Sequence, residues 1–192
     1  MSFLAGGNLL KGGFIYFDAP GSAPKILAFQ YNPETLNRGL EPVFPPVSAP
    51  GQPASPPREV IQFKLALDAT DKLETGDPVA AELGIFPQLS ALELLMQASA
   101  SSPNSLTVFV WSKNRILPVR ITGLQIAEQL FDNRLNPIRA EIAVALLVLN
   151  SADLSADPHA QKLWQAHLAL MRQLAQMAGQ PTLSQLGLTE MP

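Results

Sequence analysis

Few residues in this chain are of a type that does chemistry, and their spacing is poor for it. The two histidines, His159 and His167, stand eight residues apart on one predicted helix. At 1.5 Å of rise per residue that is about 12 Å, too far for the rings to share a metal ion. His167 also falls inside an apolar stripe, the place of a packed or interfacial histidine. No serine sits in the G-x-S-x-G turn that exposes a hydrolase nucleophile. The chain has no cysteine, so disulfides, thiolate metal sites and cysteine nucleophiles are excluded.

The acidic series Asp68, Asp71, Glu74 and Asp77 fares no better. A calcium loop needs oxygen ligands at alternate positions and a glycine at the sixth, and DATDKLETGDP lacks that order. These carboxylates read as a solvated loop with helix caps. The pairs Gly6-Gly7 and Gly12-Gly13 bracket Lys11, but no Gly-Lys-Ser/Thr follows to make a phosphate loop. No catalytic, cofactor or metal site is expected, and the chain is not expected to be an enzyme.

The elements that would have to position a site are mostly strands. Gly13 to Phe17 and Lys25 to Tyr31 are short and rich in β-branched and aromatic residues. The spacer Asp18-Ala-Pro-Gly21 between them suits a hairpin. Residues 42–57 hold seven prolines, which deny a regular hydrogen-bond ladder and favour extended conformations. That segment reads as an exposed loop, an arm on a neighbouring subunit or a dock for a proline-recognising module. Glu59 to Asp68 alternates cleanly, with Ile61, Phe63, Leu65 and Leu67 on one face.

Asp77 then caps a short helix with Pro78 at its first position and Gly84 as its stop. A second helix spans about 87–98, with Leu89, Leu92, Leu95 and Met96 in one stripe. Leu106 to Trp111 predicts a strand apolar on both sides. Pro118 to Phe131 predicts a long one whose apolar phase shifts at Gly123, the mark of a bulge. After a turn at Asp132 to Pro137, Ile138 to Leu149 runs back with Ile142, Val144 and Leu146 in an unbroken core face. Its odd positions turn apolar at Ala143, so a helix or another subunit must cover that end. Asp157-Pro158 starts a last helix to about Ala178, with Leu163, Trp164, His167, Leu170, Met171, Leu174 and Met177 in one stripe. This helix suits packing on its own domain or docking on a partner. A short tail keeps Leu183, Leu186 and Leu188.

Composition bounds the partners. A chain of 192 residues makes one domain, or one with an appendage. The charged fraction is 15% against a usual ~25%, less polar surface than a free monomer carries. Part of the surface is therefore expected to be covered by other chains. A net charge of −3 argues against an electrostatic grip on nucleic acid or anionic membrane. The longest apolar run, Ile142 to Leu149, is eight residues against the ~20 that span a bilayer. The N-terminus lacks the basic start and apolar stretch of a secretory signal. Synthesis in the cytoplasm, or release from it by a route the sequence does not show, without direct membrane insertion, is the expectation.

Four segments carry a resemblance: Phe29 to Leu36 (FQYNPETL), Leu65 to Asp71 (LALDATD), Gly84 to Leu92 (GIFPQLSAL) and Phe131 to Glu141 (FDNRLNPIRAE). In this order they resemble the tube-type baseplate proteins of contractile injection systems, the phage-tail-like particles of bacteria. The resemblance covers about residues 13–150. It implies a β-rich α+β fold, a tail-tube-like β-barrel or sandwich with a flanking helix, here followed by a C-terminal helical extension. The expected division is a tube-like domain over 1–150, with 42–57 as its proline-rich loop or arm, and a helix and tail over 151–192. The implied role is structural: a ring, six-fold in the family, joining the hub and spike to the inner tube. The implied partners are copies of itself, the inner tube protein, the baseplate hub or spike, and sheath or wedge proteins. Many relatives end in a LysM module, and residues 151–192 lack one. Three places in the stack therefore stay open: a tube initiator, a second adaptor layer or a terminator at the far end. Arg139 and Glu141, as lateral ion pairs, and Trp164 and Met171, on the last helix, are the candidate assembly residues. The competing reading is a monomeric ligand-binding β-sandwich with the last helix folded back.

Overall fold

The computed structural model describes residues 9–19, 21–43, 55–101, 105–154, 157–179 and 185. Seven strands are β1 (Gly13–Phe17), β2 (Lys25–Ala28), β3 (Asn37–Val43), β4 (Ser55–Asp68), β5 (Leu106–Ser112), β6 (Arg115–Phe131) and β7 (Pro137–Val148). The helices are α1 (Thr70–Glu74), α2 (Pro78–Leu83), α3 (Phe86–Ser101) and α4 (Pro158–Met177). One antiparallel sheet runs in the order β2-β1-β5-β6-β7-β4-β3, so β2 and β3 are its edges.

Alternation explains which face each strand buries. Ile61, Phe63, Leu65 and Leu67 of β4 oppose Leu146, Val144, Ile142 and Ala140 of β7, and all eight are buried. The phase shift in β6 is a bulge. Ile121 pairs with Leu146 and Gly123 with Ala145, leaving Thr122 as the extra residue, its hydroxyl on the Ala145 carbonyl. Before the bulge Val119 and Ile121 oppose core residues of β7, and after it Leu124 and Ile126 do so. The inserted residue thus keeps one continuous apolar face along β6.

The sheet is strongly curled. Phe63 of β4 stacks on Phe109 of β5 at 5.5 Å between ring centroids. Two strands lie between them, and a flat sheet would set them about 14 Å apart. Phe29 also touches Phe14, Phe63 and Phe109, so four phenylalanines fill the interior. α3 lies against β6, with Leu89, Leu92 and Leu95 buried as the stripe predicts. α2 starts at Asp77, whose carboxylate accepts from the Ala80 amide, and stops at Gly84 with φ of 56°. A Cβ at Gly84 would collide with the Pro137 carbonyl, so glycine is required there twice over.

Three expectations need correction. The strand expected over 25–31 ends at Ala28, and Phe29 and Gln30 leave it to bond elsewhere. β3 and the short α1 were not foreseen. The proline-rich segment is partly strand, since Val43 pairs with Ser55 and Glu41 with Arg58 around a register irregularity at Pro42. Proline is tolerated there because β3 is an edge, and Pro56 and Pro57 lie beyond the part of β4 that pairs with β7. Residues 44–54, and with them most of the arm-or-loop expectation, fall outside the described residues, as do Leu183, Leu186 and Leu188.

Val144 is 2% exposed at the centre of the curled sheet. Val144→Asp is expected to prevent folding, because an unpaired buried charge costs several kcal/mol against a total stability of ~5–15. Insoluble protein, or loss of a cooperative melt by circular dichroism, is the outcome to look for.

Candidate assembly interface

The four segments that carry the family resemblance meet at one corner. Asp68 joins three of them, and the Ile85–Pro137 bond brings in the fourth. The Gln30 side chain donates to the Asp68 carbonyl at 2.6 Å and accepts from the Asp68 amide at 3.0 Å. The Asp68 carboxylate accepts two bonds from Arg139, at 2.9 and 2.6 Å, and caps Thr70 at the start of α1. The Ala69 amide donates to the Ile138 carbonyl, and the Ile85 amide to the Pro137 carbonyl, each at 2.9 Å. Asn136 donates to the Glu82 carbonyl, and Asp132 folds the turn by accepting from the Arg134 and Asn136 amides. Burial works against the Asp68 charge, but the Thr70 and Arg139 bonds outweigh it and hold this carboxyl below its usual range.

This corner decides the position of two expected site residues. Arg139 is engaged by Asp68 of its own chain, and Glu141 accepts from Lys64 at 2.7 Å. Both partners lie on β4, so within the subunit these are cross-strand pairs on the outer face of the sheet. Glu141 and Lys64 line an open groove of about 880 Å³ between the outer faces of β4 and β7 and the 31–37 connector. Among the described residues no three His, Asp or Glu side chains form a metal site. His159 packs edge-on against Phe17, away from His167.

The last helix divides in two. Its start is capped by Asp157, which accepts from the His159 and Ala160 amides. In its first half Ala160, Trp164 and His167 are buried in the chain's own core, and α4 lies against β6. Trp164, which the sequence offers either as a docking anchor or as core, is 8% exposed within its own subunit. In the second half Met171, Leu174 and Met177 are 44, 43 and 75% exposed. Met171 keeps the surface placement an assembly residue needs.

Further exposed apolar residues escaped the sequence reading. Ile26 on the β2 edge, Leu40 and Val43 on the β3 edge, and Leu94 on α3 all face solvent. The tip of the β6–β7 hairpin exposes Leu130, Phe131 and Leu135, with Leu130 and Leu135 at φ of 53° and 66°. Leucine seldom adopts positive φ, so this tip is locally strained. Alternation predicts faces and says nothing of which strands end at an edge, which is why these residues carried no signal.

Under α4 lies a buried polar group with one readable signal. Glu59 shares the core-facing phase of Ile61 and Phe63, which flags a buried partner. That partner is Arg38 of β3, whose Nε donates to it at 2.6 Å. Arg115, Arg38 and Glu59 all act electrostatically on His167, whose two ring nitrogens have no partner among the described residues. Burial is the chief cause that holds the His167 pKa below its usual value near 6.5, opposed by Glu59 and reinforced by both arginines. The unfolded chain takes up this proton near pH 6.5 and the folded one does not, so stability falls as pH drops below that value. The lowered carboxyls, Asp18, Asp68 and Asp132, titrate in a more acidic window. The melting temperature is expected to fall between pH 7.5 and 5.5. His167→Leu is expected to flatten that stretch and to add on the order of 1 kcal/mol at pH 7.5, by removing an unsatisfied buried ring. Trp164→Ala should cost ~3–5 kcal/mol in the isolated subunit, measured by denaturant melts, as an emptied aromatic core site does.

No curated protein matches the chain. A solved structure, the tail of an empty GTA particle refined helically with C6 symmetry, is similar over 72% of this chain and 91% of that one, at 12% identity and a TM-score of 0.35. The model of the contractile injection system tube protein family matches residues 17–157, from the end of β1 to the cap of α4. That span takes in all four of the segments joined at this corner, and no helix among the described residues is long and apolar enough to cross a membrane. The chain belongs to the contractile injection system tube protein family.

Proposed function

We propose that this subunit forms a ring layer at the junction between the baseplate hub or spike and the inner tube of a contractile injection particle. The observation that carries the ring is the open sheet. β2 and β3 end the same sheet on opposite sides, and among the described residues neither is paired on its outer edge. Two different sticky edges on one subunit favour head-to-tail association, which closes into a ring when the rotation allows. Ile26 on one edge and Leu40 and Val43 on the other supply apolar contact. The family resemblance adds six-fold symmetry and a place next to the tube. Arg139, Glu141 and Met171 then serve as lateral or axial contacts, and the subunit is made in the cytoplasm before assembly. A monomeric ligand-binding sandwich is less well supported, because four phenylalanines occupy the interior a ligand would need.

The test is assembly with its neighbours. Co-expressed with tube and hub partners, the wild-type chain is expected to enter rings visible by electron microscopy at that junction. Leu40→Asp and Ile26→Asp alter exposed residues, so melting should hold while ring yield drops at least tenfold, roughly the effect of a like-charge or unpaired-charge contact of ~1.4 kcal/mol or more. A clean 20.7 kDa monomer under those conditions, or rings found elsewhere in the particle, would overturn the reading.

A further inference from the structure

His167 is 8% exposed, and neither of its ring nitrogens has a hydrogen-bond partner among the described residues. A neutral imidazole held there gives up one donor and one acceptor bond to water. An imidazolium would give up two donor bonds and the hydration of its charge, which costs more. The charges around the ring sharpen that difference. β3 contributes Arg38, β4 contributes Glu59 and β6 contributes Arg115. Glu59 is itself buried and already engaged by Arg38 at 2.6 Å. A proton on His167 would therefore make three cations in a cluster with one occupied carboxylate. On α4 itself Lys162 and Arg172 are exposed, and His159 lies edge-on to Phe17.

The element that carries this ring is lightly held. α4 buries Ala160, Trp164 and His167, and its second half leaves Met171, Leu174 and Met177 exposed. The sheet runs from β2 to β3 and needs no part of α4 for its ladder. The Arg38–Glu59 pair joins two strands and does not depend on the helix either. Elements of this kind open at a lower free energy than the core they cover.

We propose that His167 is a proton-sensitive latch: when its ring takes up a proton, α4 lifts from the sheet while the seven strands stay paired. The sign follows from the two environments. In the lifted helix the ring titrates near the ordinary 6.5. In the docked helix burial holds it lower, with Glu59 opposing and the two arginines assisting. The docked arrangement is thus fully favoured above about pH 6.5 and loses ground as pH falls below it. Lifting bares Trp164 and joins it to the stripe already exposed at Met171, Leu174 and Met177. The stripe is divided in the docked subunit and continuous in the lifted one, so proton uptake changes what the helix presents to its surroundings.

Hydrogen exchange of the full-length chain, read peptide by peptide by mass spectrometry, separates such a latch from a general loss of stability. Wild type is compared with His167→Gln and His167→Leu at pH 7.5 and pH 5.8, both above the pI near 5.3. Comparison at equal pH cancels the intrinsic pH dependence of exchange. Glutamine keeps a polar side chain that does not titrate, and leucine removes polarity as well. The wild-type-to-variant ratio of α4 exchange rates is expected to rise by up to about fivefold from pH 7.5 to 5.8, the gain in protonation of a histidine with pKa near 6.5. The ratio for β4 and β7 peptides should stay constant. An α4 ratio that does not change with pH would overturn the proposal, and so would α4 and sheet peptides that lose protection together. A second readout needs no change at His167. In a Trp111→Phe chain, acrylamide quenching of Trp164 is expected to rise severalfold over the same interval while the sheet keeps its circular dichroism. Quenching that stays the same, or rises only as the sheet melts, would count against the latch.

Discussion

The sheet curls tightly enough to stack Phe63 on Phe109, yet it leaves the upper half of β4 without a neighbour on one side among the described residues. β3 pairs with β4 only up to Gln62, so Phe63 to Asp68 lack a strand on that side. The Gln30 side chain answers the need at Asp68, where its amide supplies both the donor and the acceptor that a strand would have offered. A backbone amide and carbonyl left bare in a half-buried place would each cost about 1–3 kcal/mol. One glutamine therefore spares a strand and brings the chain after β2 across the mouth of the curl, so that Phe29 can enter the core.

The same corner fixes the helices. Asp68 starts α1, and the carbonyl of Pro137 receives the amide of Ile85 at the α2–α3 junction. Gly84 is obliged to be glycine because that carbonyl stands where a side chain would begin. The turn at Asp132 to Asn136 is in turn tied to Glu82. Segments far apart in the chain thus act as one structural unit, which gives a physical reason for four short motifs to occur together. Their bonds hold the fold in shape.

The opposite end of the curl is closed by different means. There α4 lays Trp164 and His167 over Glu59 and its arginine partner, an apolar lid on a charged group. Buried ion pairs contribute little net stability, but breaking one is costly, so they restrict which arrangements are possible. The helix is locked for half its length and left apolar for the rest. Together with Ile26 on the β2 edge and Leu40 and Val43 on the β3 edge, this leaves apolar side chains exposed on a surface of low charge.

Much of this was legible from the sequence because it is local. Alternation along β4 and β7, the phase shift at Gly123, and the Asp-Pro starts and glycine stop of the helices all depend on residues within a few positions of each other. The order of the four motifs carried the family. Other features had no local trace. Nothing near Asn37 announces β3, since an edge strand exposed along its length needs no apolar period. Trp164 reads equally well as an anchor or as core, and only the approach of β6 made it core. The bond between Gln30 and Asp68 spans 38 residues and that between Arg139 and Asp68 spans 71. Local pattern determined which faces are apolar and where elements stop. Tertiary structure alone decided which apolar faces were consumed by the curl and which were left exposed, because that depends on contacts between residues no local period relates.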